Sequence, residues 1–360
     1  MLKYILFCII FVHGLIHFFG FAKAFNLGKF TQITVAISKP CGMFWLLTAF
    51  LFISTTILFL FKKDAWIFVG LVAVIISQIL IFTVWKDAKF GTIANLIILV
   101  ALILNYGSYR FEKVYQNDVR QNFVSNNSSK KELVTEADLV FLPKPVQRYL
   151  RYAGVLDKPK VHNMRITFEG QMREKSKDFF PFTCEQYSFF NKPTRLFFMK
   201  AKMKGFNVTG YHKYDNATAS MDIRLFGLFA VVKKSGKNMD KIETVTLFND
   251  MCLMAPATLI DKRISWQPID DNSAKATFTN HNSTISAILY FNEKGQLIDF
   301  ISNDRDVNHH PFSTPVSNYK MINGINIMTY GETIWHYPDG KFVYGKFNLK
   351  EVEYNVSELK

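Results

Sequence analysis

RITFEGQMR, Arg165–Arg173, is the stretch that decides the fold of the larger part of this chain. Ile166, Phe168, Gly170 and Met172 point one way along an extended backbone; Arg165, Thr167, Glu169 and Gln171 point the other. That is the period of a β-strand with one apolar face. PFTCEQYSFF, TRLFFMKAKMK, FNVTGYHKYD and TASMDIRLFGLFAVVKK follow, with turn residues between them. Runs at this spacing predict an antiparallel sheet. One helix is expected inside it, roughly Met239 to Leu259, with Ile242, Val245, Phe248 and Cys252 on its buried face and Pro256 bending or ending it. Strands resume at RISWQPID, AKATFTN, STISAILYFN and QLIDFISND. The closing hairpin turns at Pro338, Asp339 and Gly340. A sheet of ten or more strands tends to curl. The expected form is an α+β, mostly antiparallel domain over residues 135–360, a curved sheet or half-barrel holding one long helix. Several strands are apolar on both faces, so one face can line a core and the other a cavity.

Upstream the pattern changes. Residues 1–110 contain four apolar segments, 4–22, 42–61, 65–85 and 91–106, and a membrane span needs about 20 apolar residues. Trp66, Trp85 and Tyr106 fall at segment ends, where interfacial aromatics collect. The first 106 residues carry eight Lys and two Asp; the remaining charges lie beyond them. The expected organisation is a multi-pass helical membrane region, a linker over 111–134 and a soluble β domain. For the first segment a signal peptide is the rival reading, since Lys3, an apolar run and Ala22-Lys23-Ala24 imitate its three regions. Residues between Thr135 and Gly154 predict a capping box at Thr135–Asp138 and a short basic helix ended by Gly154.

Inside the first segment, VHGLIHFFG places His13 and His17 on one helix face. A metal needs further ligands, and the other spans offer no His, Asp or Glu; two histidines on one face cannot take opposite sides of a haem. The reading preferred is a polar face toward the other helices, with Gln78, Asn95 or a backbone carbonyl as partner and Gly14 and Gly20 allowing close approach.

The net charge of +14 is dispersed, without a basic block or an RNA-binding signature, so nucleic acid is not an expected partner; membrane lipids are. Four cysteines without a CxxC pair imply no disulfide framework. No GxSxG, HExxH, GxxxxGK[ST] or GxGxxG occurs, so no catalytic residue, metal or cofactor is expected. NDRDVNHHPF holds Asp304, Asp306, His309 and His310 at a spacing that matches no compact metal motif.

LPKPVQRYLRYAGV, PFTCEQYSFF, the run from Met254 to Arg305 and the final YGETIWHYPDGKFVYGKFNLKEVEYN resemble an uncharacterised bacterial family of unassigned function, over about residues 141–354. The resemblance picks out Arg148, Tyr149, Glu185, Gln186, Pro256, Trp266, Asp270, Asp304 and Arg305. Relatives without a membrane region imply a cytoplasmic β domain at a bacterial inner membrane. Two roles stay open for Glu185 and Arg305: a buried pair within the sheet, or groups that orient a ligand. The functional expectation is an apolar or lipid-like ligand bound beside the membrane, with Glu185, Trp266, Asp304 and Arg305 as candidate contacts. An enzyme acting on a lipid-linked substrate and a protein-interaction module are the alternatives.

Overall fold

The computed structural model describes residues 2–28, 33–126 and 132–360. It divides into two compact units, Met1–Phe111 and Glu112–Lys360.

The first unit is helical: α1 (Leu2–Ala24), α2 (Lys39–Leu60), α3 (Ala65–Thr83), the single turn α4 (Trp85–Ala88) and the start of α5 (Gly91–Ser125). Four of these helices are long and apolar enough to cross a membrane. Their outer faces expose residues such as Leu15, Phe50, Ile75 and Leu96, as lipid-facing helices do. Inside, glycines let backbones meet. A Cβ at Gly14 would lie 2.8 Å from that of Phe52, and one at Gly20 would lie 2.2 Å from the Trp45 ring. His13 and His17 close a polar network there. His17 Nδ1 donates to the His13 carbonyl at 2.8 Å and its Nε2 lies 2.9 Å from the Ser77 hydroxyl. His13 Nε2 donates to Asn95 Oδ1 at 2.9 Å, and Asn95 Nδ2 donates to Ser77 at 3.0 Å. Gln78 reaches Asn95 rather than either imidazole.

The second unit adds α6 (Glu136–Leu139), α7 (Lys144–Ala153), α8 (Lys237–Met254), a 3₁₀ turn (Pro256–Ile260) and sixteen strands among the described residues. These are β1 (Asn163–Met172), β2 (Phe180–Phe189), β3 (Thr194–Met203), β4 (Phe206–Asp215), β5 (Thr218–Leu225), β6 (Phe229–Ser235), β7 (Ile264–Asp270), β8 (Ser273–Asn280), β9 (Ser283–Phe291), β10 (Leu297–Ser302), β11 (Phe312–Ser313), β12 (Val316–Ser317), β13 (Lys320–Ile322), β14 (Ile325–Ile327), β15 (Tyr330–Tyr337) and β16 (Gly340–Tyr354). Fourteen form one antiparallel sheet in the order β6-β5-β4-β3-β2-β1-β16-β15-β11-β10-β9-β8-β7, with β12 beside β15. The sheet is open, with β6 and β7 at its edges, and α8 is the chain that runs from one edge to the other. Register shifts at Thr167/Phe168, Ile223/Arg224 and Thr333/Ile334 bend the strands. Gly170 is required where β1 meets β16, since a Cβ there would sit 2.2 Å from the Lys346 carbonyl.

The core lies between one face of the sheet and helices α7 and α8, around Phe248, Phe278, Leu289 and Phe300. Two expectations change. TASMDIRLFGLFAVVKK, read as one run, is a hairpin that turns between Leu225 and Phe229. The linker expected at 111–134 is helix as far as Ser125, because α5 continues past its apolar segment; residues 127–131 lie outside the described residues. The helical residues 112–125 carry their own buried face. Tyr115 stacks on Phe198 and donates to Glu185 at 3.3 Å; Phe123 packs on Tyr187 and Phe189. Asp118 accepts from the Tyr211 hydroxyl at 2.7 Å and pairs with Lys213. This is why TRLFFMKAKMK is apolar on both sides. Leu196 and Phe198 face the α5 side, and Phe197 and Met199 face the α8 side.

Candidate functional site

A cavity of about 820 Å³ opens between α8 and the inner face of the sheet. Its walls are mostly apolar: Met172, Phe197, Met199, Met221, Ile223 and Phe347 are typical. They are there by strand alternation, since β3 and β5 place every second side chain inward. Lys204, Phe206, Val231 and Lys234 also border it; Phe206 and Val231 are exposed.

One wall is ionic. Arg195 on β3 points inward among apolar neighbours and meets two carboxylates of α8. Its Nε donates to Asp250 at 2.7 Å, and a terminal nitrogen donates to Glu243 at 3.1 Å. Gln186 Nε2 donates to Asp250 at 2.8 Å, and His212 Nδ1 stands 3.1 Å from the other Glu243 oxygen. Glu243 and Asp250 are seven residues apart, two helical turns, and so share the face that also carries Thr246 and Leu253 into the cavity. Burial alone would raise the Glu243 carboxyl. The His212 hydrogen bond and the Arg195 charge outweigh it and hold that carboxyl at about 2. Burial prevails at Asp250 and pushes its carboxyl up despite Arg195 and Gln186. The paired Arg195 is held charged by the two carboxylates, against the opposing pull of burial. A buried charge network of this kind costs more to break than it contributes as a whole.

Arg305, in the loop after β10, also lines the cavity, and its surroundings differ. Its guanidinium lies 4.0 Å from the centre of the Phe312 ring and donates to the Tyr344 hydroxyl at 2.7 Å. It makes no ion pair among the described residues. Arg173, at the end of β1, borders the same space; its Nε donates to the Val343 carbonyl and its guanidinium lies over Phe179 and Phe342.

The other sequence candidates stand elsewhere. Glu185 points to the opposite face of β2, where it pairs with Arg165 at 2.8 Å and accepts from Tyr115; it does not pair with Arg305. Strand alternation decides this, since Gln186, its neighbour, takes the inward position. Asp304 accepts the Ser286 amide at 2.8 Å and pairs with Lys241 of α8 at 2.8 Å, fixing the loop that carries Arg305. Burial would raise the Asp304 carboxyl, and Lys241 and Ser286 hold it below its ordinary value. Trp266 lies on edge strand β7, packed against the core and away from the cavity, with its ring nitrogen buried without a partner. Asp270 closes the β7–β8 turn by accepting the Asn272 amide at 2.8 Å, and Tyr149 donates to the Cys252 carbonyl at 2.9 Å. His310 pairs with Asp306, and His309 reaches the Asn303 carbonyl. No group of three or more His, Cys, Asp or Glu is placed to hold a metal among the described residues. Arg195, His212, Glu243, Asp250 and Arg173 are absent from the sequence candidates. The readable signal was charge at inward positions: an Arg within an apolar strand, and two carboxylates at helical spacing on a buried face.

Among solved structures, the chain is similar to the crystal structure of a LolA superfamily protein from Nitrosomonas europaea, at 10% identity and a TM-score of 0.35, covering 59% of this chain and 94% of that one. No curated protein matches the sequence. A family model matches residues 132–347, which takes in α6, α7, α8 and the strands that build the cavity as far as Phe347 on β16. The chain therefore belongs to the family of unknown function DUF6544.

Proposed function

We propose that this is a multi-pass membrane protein whose β domain holds an apolar or lipid-like ligand in the cavity against α8. The observation that carries the reading is the cavity itself. At about 820 Å³, with walls of Met, Phe, Ile and Val, it is of the size and character of small-molecule sites, which run to about 300–1,000 Å³. The ion cluster of Arg195, Glu243 and Asp250 is satisfied within itself, which suits a rigid wall better than an acid/base pair awaiting substrate. A ligand with a long apolar part gains by leaving water for such a space. Four helices able to cross a membrane supply a source of such molecules. The resemblance to relatives without a membrane region favours the cytoplasmic side of an inner membrane for the β domain.

The test is mass spectrometry of small molecules that stay with the gently extracted full chain, beside an Ile223→Trp variant that fills the cavity. A stoichiometric apolar molecule present in the wild type and absent from the variant supports the reading. Identical lipid content in both would sink it.

A further inference from the structure

We propose that the ligand of this cavity is an anionic amphiphile whose carboxylate or phosphate head is held by Arg305, with Arg173 beside it; this rests on the cavity's being a ligand site. The cations that line this one space differ in how far their donors are committed. Arg195 is spent, with two carboxylates on it. Arg305 has five N–H donors, and among the described residues its one hydrogen bond, to Tyr344, uses one of them. It is fixed all the same: stacked on Phe312 at 4.0 Å, near the rings of Trp335 and Tyr344, in a loop that Asp304 ties to β9 and α8. Arg173 is held in the same manner, 4.4 Å from Phe179 and 5.5 Å from Phe342, and the Phe342 and Tyr344 rings are 6.5 Å apart. Two guanidiniums thus share one aromatic ladder on β16.

The nearby carboxylates are already taken. Glu243 feels the Arg305 charge but has Arg195 on one oxygen and His212 on the other, Glu174 is bonded to Lys177, and Asp304 to Lys241, so none of them forms an ion pair with Arg305. A guanidinium held flat against rings with free N–H groups is arranged for bidentate binding of a carboxylate or phosphate. The apolar walls opposite it take a chain. Cation and apolar wall side by side fit a molecule that is charged at one end.

The full chain in nanodiscs is titrated with radiolabelled palmitate, hexadecyl phosphate and methyl palmitate, with empty nanodiscs subtracted. Expected is about tenfold tighter binding of an anionic probe than of the ester, a charge-assisted hydrogen-bond pair being lost with the neutral head. Arg305→Gln removes the preference and leaves ester binding unchanged, while Arg305→Lys keeps part of it. Whichever anion binds tighter identifies the head as carboxylate or phosphate. Should Arg305→Gln not fold, Arg305→Lys and Tyr344→Phe carry the comparison. Equal binding of the three probes to the wild type overturns the head-group proposal while the cavity reading stands. Saturable binding of none overturns the proposal, and the cavity reading is then decided by the molecules that co-purify.

Discussion

Strands β1 to β4 present two faces with the same ingredients and opposite arrangements. Against residues 112–125 of α5, apolar rings are packed shut: Tyr115 on Phe198, Phe123 on Phe189. Toward α8 the equivalent positions hold Phe168, Phe197 and Met199, and they border open space. Each face has an arginine against carboxylates. Arg165 spreads over Glu185, Glu351 and Glu353 near solvent, and Arg195 is locked to Glu243 and Asp250 in the interior. The difference teaches that apolar composition does not distinguish a core from a site. What distinguishes them is whether the covering helix fills the face it covers.

The comparison breaks first at the ion cluster. Asp250→Ala leaves Arg195 buried with one partner, and a loss of about 3–5 kcal/mol is expected in denaturant unfolding. Tyr115→Ala tests the closed face. A fully buried ring is lost and about 3 kcal/mol with it, while ligand occupancy is unchanged. A domain cut at residue 135 should fail for the same reason where one beginning at 112 does not, as read by its melting temperature. Ile223→Trp sharpens the open face: most bound ligand is lost, at a stability cost of no more than about 1–3 kcal/mol.

A smaller effect is expected from pH. Burial raises the Asp299 carboxyl to about 6 from 3.8, so its ionised form is penalised in the folded state. Stability from this group rises as pH falls through about 6 toward 3.8, and Asp299→Asn removes that slope. Glu243 runs the other way. Held at about 2 against 4.5, it contributes stability above about 4.5 that is lost as pH falls toward about 2. Smallest of all is Glu185→Gln on the partly exposed pair with Arg165, within about 1 kcal/mol. A large effect there would contradict the assignment of charge-critical positions to the inner face.

Much was legible in local pattern, because a strand's period and a helix's apolar length are properties of a few neighbouring residues. RITFEGQMR, the 18-residue α8 and the four apolar segments are of this kind. The shared helix face of His13 and His17 follows from their spacing, whereas Ser77, which joins them, is too common a residue in such helices to stand out. The tertiary structure decided the rest. It set which face of β2 looks into the cavity and so exchanged Glu185 for Gln186, since a side chain's direction follows from register with distant strands. It placed Arg195 between two carboxylates 48 and 55 residues away. It set Arg305 on an aromatic shelf with no ion pair among the described residues, a matter of how distant strands and loops assemble.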